Sequence, residues 1–315
     1  MHYLTRQGEV RAVDNVSFTL AQGEALGVVG ESGCGKTSIA LCLLRVLPDN
    51  ARILSGRILL NGTDLLQLGD EEMRRWRWQH ISMVFQAAMS SLNPVARVGS
   101  QIEEAILVHQ RGSLQEARER AAHLFGLVGL EEALLRRYPH ELSGGMRQRA
   151  VIALALSCQP SVVVADEPTT ALDVIVQHLV LEELKRVQRD LHTSIMYISH
   201  DIGVIAQVSA RIAVMYAGKI VEIAPTGVLF EHFRHRYTQA LLSCFPRLHG
   251  PKLALEPLEG DPPDLVSPPS ACRFHPRCHY ATEICKTEEP AFEKHGPDQF
   301  AACWHPVQES ERGRS

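Results

Sequence analysis

The chain has 315 residues, 45% of them hydrophobic and 22% charged, and a formal net charge of −4 at pH 7. This length and composition allow one large core with a smaller appendix, and no apolar run approaches the roughly 18 residues that a membrane span needs. The charge balance excludes a general attraction to nucleic acid or anionic lipid. Because the first residues lack the apolar segment of a secretion signal, we expect a soluble protein that works in the cytosol.

The first predicted unit is a buried strand, a glycine-rich loop and a helix. Residues 25–30 form a short apolar run, and an apolar helix is predicted from about Lys36 to Leu47. The loop Gly30–Thr37 satisfies the pattern G-x-x-x-x-G-K-S/T, in which backbone N–H groups surround a β-phosphate, the lysine neutralises phosphate oxygens and the hydroxyl binds Mg²⁺. We therefore expect a site for ATP and Mg²⁺. Its contacting residues are predicted to be Gly30, Ser32, Gly33, Cys34, Gly35, Lys36, Thr37 and Ser38.

A helical region with a second anion site follows. Between about Val98 and Leu156 the pattern is mainly helical, which predicts an inserted helical subdomain at about 88–158. Within it, Leu142–Arg149 places a Ser-Gly-Gly turn before a helix predicted from Met146. Such a turn offers a hydroxyl, unhindered backbone N–H groups and a helix N-terminus, which together bind phosphate. The residues expected to contact it are Ser143, Gly144 and Gly145.

Two later apolar runs end in polar residues. Val162–Ala165 leads into Asp166 and Glu167, and Ser194–Ile198 leads to His200. Unbroken apolar strands are typical of a parallel sheet covered by helices on both faces. Since open α/β sheets bind ligands at the carboxyl ends of their strands, Asp166 suits the outer shell of Mg²⁺ and Glu167 is placed to polarise an attacking water. Gln86 follows a further apolar run in the same way.

The C-terminal part begins with a hairpin and a linker. Ala217 and Gly218 predict a tight turn between two short strands, and the main domain is expected to end near residue 230. A short helix starting near Arg234 and a group of prolines then predict a linker over residues 231–271.

Four of the eight cysteines lie beyond this linker, in a predicted module at 272–315. Their spacings of five, six and seventeen residues differ from the C-x-x-C pairs of zinc ribbons. Clustered thiolates in a reducing cytosol imply a cation, and four cysteines suit either Zn²⁺ or an iron–sulfur cluster, between which spacing does not decide. The four candidate ligands are Cys272, Cys278, Cys285 and Cys303.

Taken together, these motifs resemble the ATP-binding cassette (ABC) family over about residues 3–230. The resemblance implies an α/β fold of the P-loop NTPase type, with a RecA-like parallel-sheet core, a small antiparallel β subdomain, the inserted helical subdomain and a cysteine-rich C-terminal extension. In the family's terms Gly30–Thr37 looks like the Walker A motif, Leu142–Gln148 the signature, and Val162–Glu167 the Walker B strand with its catalytic base.

The same resemblance implies roles for single residues. It makes Gln86 the Q-loop residue that joins Thr37 and Asp166 at Mg²⁺, and His200 the switch histidine at the γ-phosphate. Tyr3 stands where the family stacks an aromatic ring on adenine, and Asp173 belongs to the D-loop. Family members usually have a further strand before this aromatic, so we expect either an upstream start or a small subdomain without that edge strand. The family's head-to-tail dimer implies that the signature completes a partner's site and that an isolated chain hydrolyses ATP poorly.

Residues beyond 230, together with Ser91–Pro94, narrow the resemblance to one branch of the family. The resemblance to ATPase subunits of peptide and nickel importers lies in three segments, Arg236–Leu242, Cys272–Cys278 and Ser91–Pro94. In that branch the tail cysteines are thought to hold a 4Fe-4S cluster, which the resemblance implies here, with zinc as the alternative.

The function implied is that of a transport motor that hydrolyses ATP to power peptide import, with nickel or oligosaccharide uptake as alternatives. Its expected partners are a second ABC ATPase subunit, preferably in a heterodimer, two membrane permeases and an extracytoplasmic binding protein. This implies a peripheral protein on the cytoplasmic face of the inner membrane. An ABC ATPase that acts on nucleic acid is disfavoured, because such proteins typically have paired cassettes, long coiled coils or zinc modules inserted within the cassette. A non-catalytic cassette is disfavoured because Lys36, Asp166, Glu167 and His200 are present.

Overall fold

The computed structural model describes residues 1–85, 91–110, 112–170, 172–244 and 258–309. In chain order its strands are β1 (His2–Thr5), β2 (Gly8–Val10), β3 (Ala25–Val29), β4 (Ala51–Arg52), β5 (Leu59–Leu60), β6 (Thr63–Asp64), β7 (Ile81–Val84), β8 (Val162–Asp166), β9 (Ser194–Ser199), β10 (Arg211–Tyr216), β11 (Lys219–Pro225), β12 (Glu293–Gly296) and β13 (Gln299–Ala301). Its helices are α1 (Lys36–Leu44), α2 (Asp70–Gln79), α3 (Val98–His109), α4 (Leu114–Leu127), α5 (Gly144–Ala155), α6 (Val174–Leu191), α7 (Ile202–Val208), α8 (Thr226–His232), α9 (Arg236–Ser243) and α10 (Glu283–Thr287).

An eight-stranded sheet in the order β12-β13-β11-β10-β3-β9-β8-β7 organises the molecule. The strands from β10 to β7 pair in parallel, which confirms the predicted α/β class. Their side chains alternate between two cores: Leu26 and Val28 of β3 pack in the cluster with α1, whereas Ala25 and Val29 pack in the cluster with the helical region. Both faces of the sheet are therefore covered, as unbroken apolar strands require.

The hairpin and the tail extend this sheet. Ala217 and Gly218 turn at φ 47° and 85°, and join β10 to the antiparallel strand β11. Strand β13 then pairs with β11, and β12 pairs with β13. The strands of the predicted cysteine module thus continue the sheet of the cassette.

The small antiparallel sheet has the order β2-β1-β4. Tyr3 in its middle strand lies opposite Val10 on one side and Ala51 on the other. Two helix boundaries differ from the sequence expectation. Helix α1 ends at Leu44 because Arg45 adopts φ 49°, and α5 begins at Gly144 because Ser143 caps it.

Candidate active site

The phosphate loop connects β3 to α1 and is held tightly from behind. A Cβ atom at Gly30 would lie 2.0 Å from the carbonyl oxygen of Met215, and one at Gly35, where φ is 106°, would lie 2.0 Å from that of Ala12. Only glycine permits this close approach of the backbone. The N–H of Gly218 in the hairpin donates to the carbonyl of Cys34 at 2.8 Å. The loop's shape is thus fixed by β10, its hairpin and residue 12.

Lys36 lies inside this loop. Its side chain is buried, and its ammonium donates to the carbonyl oxygens of Gly30 at 2.7 Å and Glu31 at 2.9 Å. The loop therefore concentrates one positive charge and several backbone N–H groups in the space where the pattern predicts phosphate.

Asp166 ends β8 beside the loop and is only 1% exposed. Neither of its carboxylate oxygens has a hydrogen-bond partner of good geometry among the described residues. Burial raises the pKa of Asp166, while the nearby Thr37 hydroxyl and the Lys36 ammonium oppose the shift. An unpartnered buried carboxylate beside a hydroxyl is the oxygen donor set that Mg²⁺ prefers. Thr37 and Asp166 therefore fit the predicted metal, whereas Gln86 lies outside the described residues.

Glu167 follows directly and has the strained backbone of φ 49°. One carboxylate oxygen lies 2.7 Å from Nδ1 of His200, and the other accepts a hydrogen bond from the Thr170 hydroxyl at 2.5 Å. Burial acts to raise the pKa of Glu167, but His200, Thr170 and the Lys36 charge outweigh it and lower the pKa overall. Glu167 is thus ionised at neutral pH and oriented, as a residue that polarises water must be.

The Ser-Gly-Gly turn has a different setting. Ser143 is exposed and caps α5 by accepting a hydrogen bond from the Met146 N–H at 3.3 Å. A Cβ atom at Gly145 would lie 2.4 Å from Cγ1 of Val176, so this glycine also lets α5 pack against α6. Asp173 caps α6 through the Val176 N–H at 2.9 Å. Within the described part of the chain, no hydrogen bond joins Ser143 to the phosphate loop.

Tyr3, predicted to stack on adenine, lies near the start of α1. Its hydroxyl is 3.1 Å from the hydroxyl of Ser38. This contact brings the aromatic ring to the phosphate-loop helix, and the stacking role stays a prediction.

The four tail cysteines lie close enough to influence one another. Burial, and after it the thiols of Cys303, Cys285 and Cys278, raise the pKa of Cys272 to about 12. The N–H of Cys272 donates to the carbonyl of Cys285 at 3.1 Å. Nevertheless, across the described ranges no group of three or more His, Cys, Asp or Glu side chains has the spacing of a metal-ion site.

Comparison with known proteins identifies the cassette. The family model described as "ABC transporter" matches residues 13–170, and the model described as "Oligopeptide/dipeptide transporter, C-terminal region" matches residues 221–285. The chain is 44% identical over 312 residues to the dipeptide transport ATP-binding protein DppD of Bacillus subtilis, covering 98% of this chain and 93% of the relative. The chain belongs to the ATP-binding cassette transporter family.

Other members of the ABC family are similar over most of the chain. The oligopeptide transport ATP-binding protein OppD of Salmonella typhimurium is 42% identical over 309 residues, covering 98% of this chain and 92% of its own. Among solved structures, the ATP-binding cassette MJ0796, a dimer in a post-hydrolysis state with ADP and Pi, aligns with a TM-score of 0.64 and 27% identity, covering 71% of this chain and 95% of that chain.

These findings, with the assembled phosphate loop, Asp166 and Glu167, make the chain an ABC ATPase. None of the helices in the described ranges is both long and apolar enough to cross a membrane.

Three residues at this site were missed by the sequence patterns. Thr170 binds Glu167, whereas Tyr237 and Arg277 contact Glu31 of the phosphate loop. Thr170 follows the Walker B strand closely enough to have been suspected. The other two lie more than 200 residues from their partner, at separations of 206 and 246, and carry no local signal.

Proposed function

We propose that this ABC protein is the ATP-hydrolysing subunit of an importer for peptides. The match of residues 221–285 to the C-terminal region of oligopeptide and dipeptide transporters carries this proposal, because that region lies beyond residues 13–170, which match the general ABC transporter model. The relatives named for dipeptide and oligopeptide transport support the same substrate class. Nickel and oligosaccharides are the alternative cargoes.

The arrangement of the site supports hydrolysis by an oriented water. Lys36, buried inside the loop, and the loop amides would hold the β- and γ-phosphates, and Thr37 and the unpartnered Asp166, with Gln86, would hold Mg²⁺. When bound, the ion neutralises charge that develops on the phosphate oxygens. Glu167 polarises the attacking water, and His200 and Thr170 keep its carboxylate turned to one position.

The exposed signature turn supports a site shared between two cassettes. Among the described residues, the side-chain hydrogen bond of Ser143 is to its own helix, and the apolar side chains of Val174 and Ile175 at the start of α6 are 81% and 74% exposed. Such a surface suits burial against a second cassette. We propose that the partner is a second, different ABC ATPase subunit, and that closure of the pair around ATP drives the mechanical step by its differential affinity for the closed form.

The remaining partners follow from the transporter class. We propose that the chain works with two membrane permeases and an extracytoplasmic binding protein, and acts as a peripheral protein on the cytoplasmic face of the inner membrane. The cargo would contact the permeases and the binding protein rather than the ATPase.

For the tail, we propose that Cys272, Cys278, Cys285 and Cys303 hold a 4Fe-4S cluster, with zinc as the alternative. Mutual influence among the thiols supports a shared ligand, and soft thiolates suit both candidates. Anaerobic purification followed by iron, sulfide and zinc analysis tests this. A colourless protein with one zinc per chain would contradict the cluster.

Uptake experiments test the transport function. A strain without this gene should lose uptake of radiolabelled dipeptides and tripeptides, and the wild-type chain should restore it. Glu167→Gln should bind ATP but fail to restore uptake, because it cannot polarise the water. Nickel uptake measured in the same strains separates the cargoes. If nickel uptake alone is lost, the peptide proposal is wrong.

A further inference from the structure

A salt bridge joins the cysteine module to the phosphate loop. Both terminal nitrogens of Arg277 donate to the carboxylate of Glu31, at 2.6 and 3.0 Å. The Arg277 side chain is 6% exposed and that of Glu31 is 24% exposed. Glu31 is the first residue after Gly30 in the phosphate loop, and Arg277 directly precedes Cys278. A two-pronged, largely buried pair of this kind is both strong and specific in geometry.

The arginine is held from its own side by several contacts. Its Nε donates to the carbonyl of Glu259 at 2.9 Å, and a terminal nitrogen lies 3.3 Å from the Tyr216 hydroxyl. In the same segment, the ring of Phe274 packs edge-on against Tyr216 at 5.3 Å. Arg273 donates to the Ala217 carbonyl and pairs with Asp14, which anchors the segment to the hairpin behind the loop. The guanidinium is therefore a fixed charge.

Glu31 is held just as closely on the loop side. Its N–H donates to the Tyr237 hydroxyl at 3.0 Å, and its carbonyl accepts the hydrogen bond from Lys36 at 2.9 Å. Without Arg277 a carboxylate would stand unpaired in the loop that must receive a polyphosphate. Two like charges in one partly buried site repel each other strongly.

We propose that Arg277 is a positioning residue for ATP: it neutralises Glu31 and holds its carboxylate away from the phosphates, so the loop reaches full ATP affinity only with the 272–278 segment docked. The proposal concerns nucleotide binding by the cassette and is independent of what the cysteines hold and of the cargo. It predicts that the loss of ATP affinity in a variant depends on charge. If Arg277 only held the segment in place, the loss of affinity would not depend on charge.

Four full-length variants distinguish these cases: R277Q, E31Q, the double variant R277Q/E31Q, and the control K286Q. Lys286 lies in the same module, and its substitution by glutamine removes the same charge. Among the described residues its ammonium pairs with the exposed Glu283, at 3.1 Å. The dissociation constant of the non-hydrolysable analogue AMPPNP with Mg²⁺ is measured at low and high salt, alongside that of ADP. Circular dichroism checks the fold of each variant.

R277Q should weaken AMPPNP binding by on the order of tenfold, as one uncompensated charge near the phosphates implies. The loss should be smaller for ADP, which has less charge, and smaller at high salt because of screening. R277Q/E31Q should recover most of the affinity, since both charges are gone, and K286Q should bind like the wild type.

Two results would overturn the proposal. One is unchanged binding by R277Q. The other is a double variant that binds AMPPNP as weakly as R277Q does, which would mean that Arg277 only holds the segment in place. If R277Q does not fold, E31Q decides alone: loss of the negative charge should tighten AMPPNP binding, and a tenfold weakening would show that the carboxylate is not repulsive.

Discussion

Two buried carboxylates in this molecule have opposite surroundings. Asp166 ends β8 with both oxygens unpartnered among the described residues. Glu222 in β11 is equally buried, but accepts hydrogen bonds from the N–H groups of Arg234 and His235 and from the side chain of Gln299, at 2.7, 2.8 and 3.1 Å. Burial is the largest influence on both groups and raises both pKa values.

The difference distinguishes a carboxylate that is placed to bind a ligand from one that holds parts of the fold together. A native fold rarely leaves a buried carboxylate without a partner, so an unpartnered one beside a phosphate loop fits a ligand-binding role. Glu222, by contrast, is satisfied by the chain itself and fastens α9 and β13 to the cassette sheet. A carboxylate at the same depth thus serves chemistry in one place and assembly in the other.

The largest expected effect is on ATP hydrolysis, which should depend on Asp166 but not on Glu222. Asp166→Asn should lower ATP hydrolysis by on the order of 10³-fold, because the metal loses its buried anionic ligand. The free energy of unfolding of the nucleotide-free protein should not fall, since a neutral amide replaces an unpaired buried charge. Phosphate release and urea unfolding measure the two quantities. A less stable protein with normal hydrolysis would contradict this assignment.

Glu222→Gln is the matched substitution at the carboxylate that connects α9 and β13 to the cassette sheet. The amide turns a donor toward N–H groups that need an acceptor, so the free energy of unfolding should fall by about 1–3 kcal/mol. Hydrolysis per folded molecule should be unaffected. If the loss of activity exceeds the loss of folded protein, Glu222 serves more than assembly.

Thr170→Val should give a smaller effect, at the group that orients Glu167. Loss of one hydrogen bond should lower kcat by about three- to tenfold. Because that bond helps to lower the pKa of Glu167, the acid limb of the kcat–pH profile should move to higher pH. Thr193→Val, which removes a hydroxyl bonded to the Pro160 carbonyl, is the control and should leave the profile in place.

The smallest expected effect is on the way the free energy of unfolding changes with pH. Since the pKa of folded Asp166 is raised above its ordinary value of 3.8, the folded state binds more protons than the unfolded state between these two values. The free energy of unfolding of the wild type, relative to Asp166→Asn, should therefore fall as pH rises through that window. Urea titrations without Mg²⁺ and nucleotide measure it. A relative gain with rising pH would show that Asp166 is paired in the folded protein.

The motifs of the predicted nucleotide site are local in sequence, and the fold class brings them together. Gly30 follows β3 and Asp166 and Glu167 come at the end of β8, and both strands pair in parallel with β9, so their meeting follows from the fold class. The contacts between the cassette and the C-terminal tail are not predictable in this way. Glu222 meets Gln299 from a separation of 77 residues, a contact for which the pattern has no periodicity or motif. The cysteine spacings likewise say nothing of the angles between the thiols.

The position of β13 has a consequence for how this protein is made. Among the described residues, the edge of β11 pairs with Gln299–Ala301, which are made well after β11, so during synthesis β11 is complete while this sheet edge is still open. An open edge is a template for pairing with other chains. Emergence of Gln299–Ala301 from the ribosome is therefore the step that pairs the edge of β11, and nascent chains that stop before β13 would be the ones that chaperones must protect.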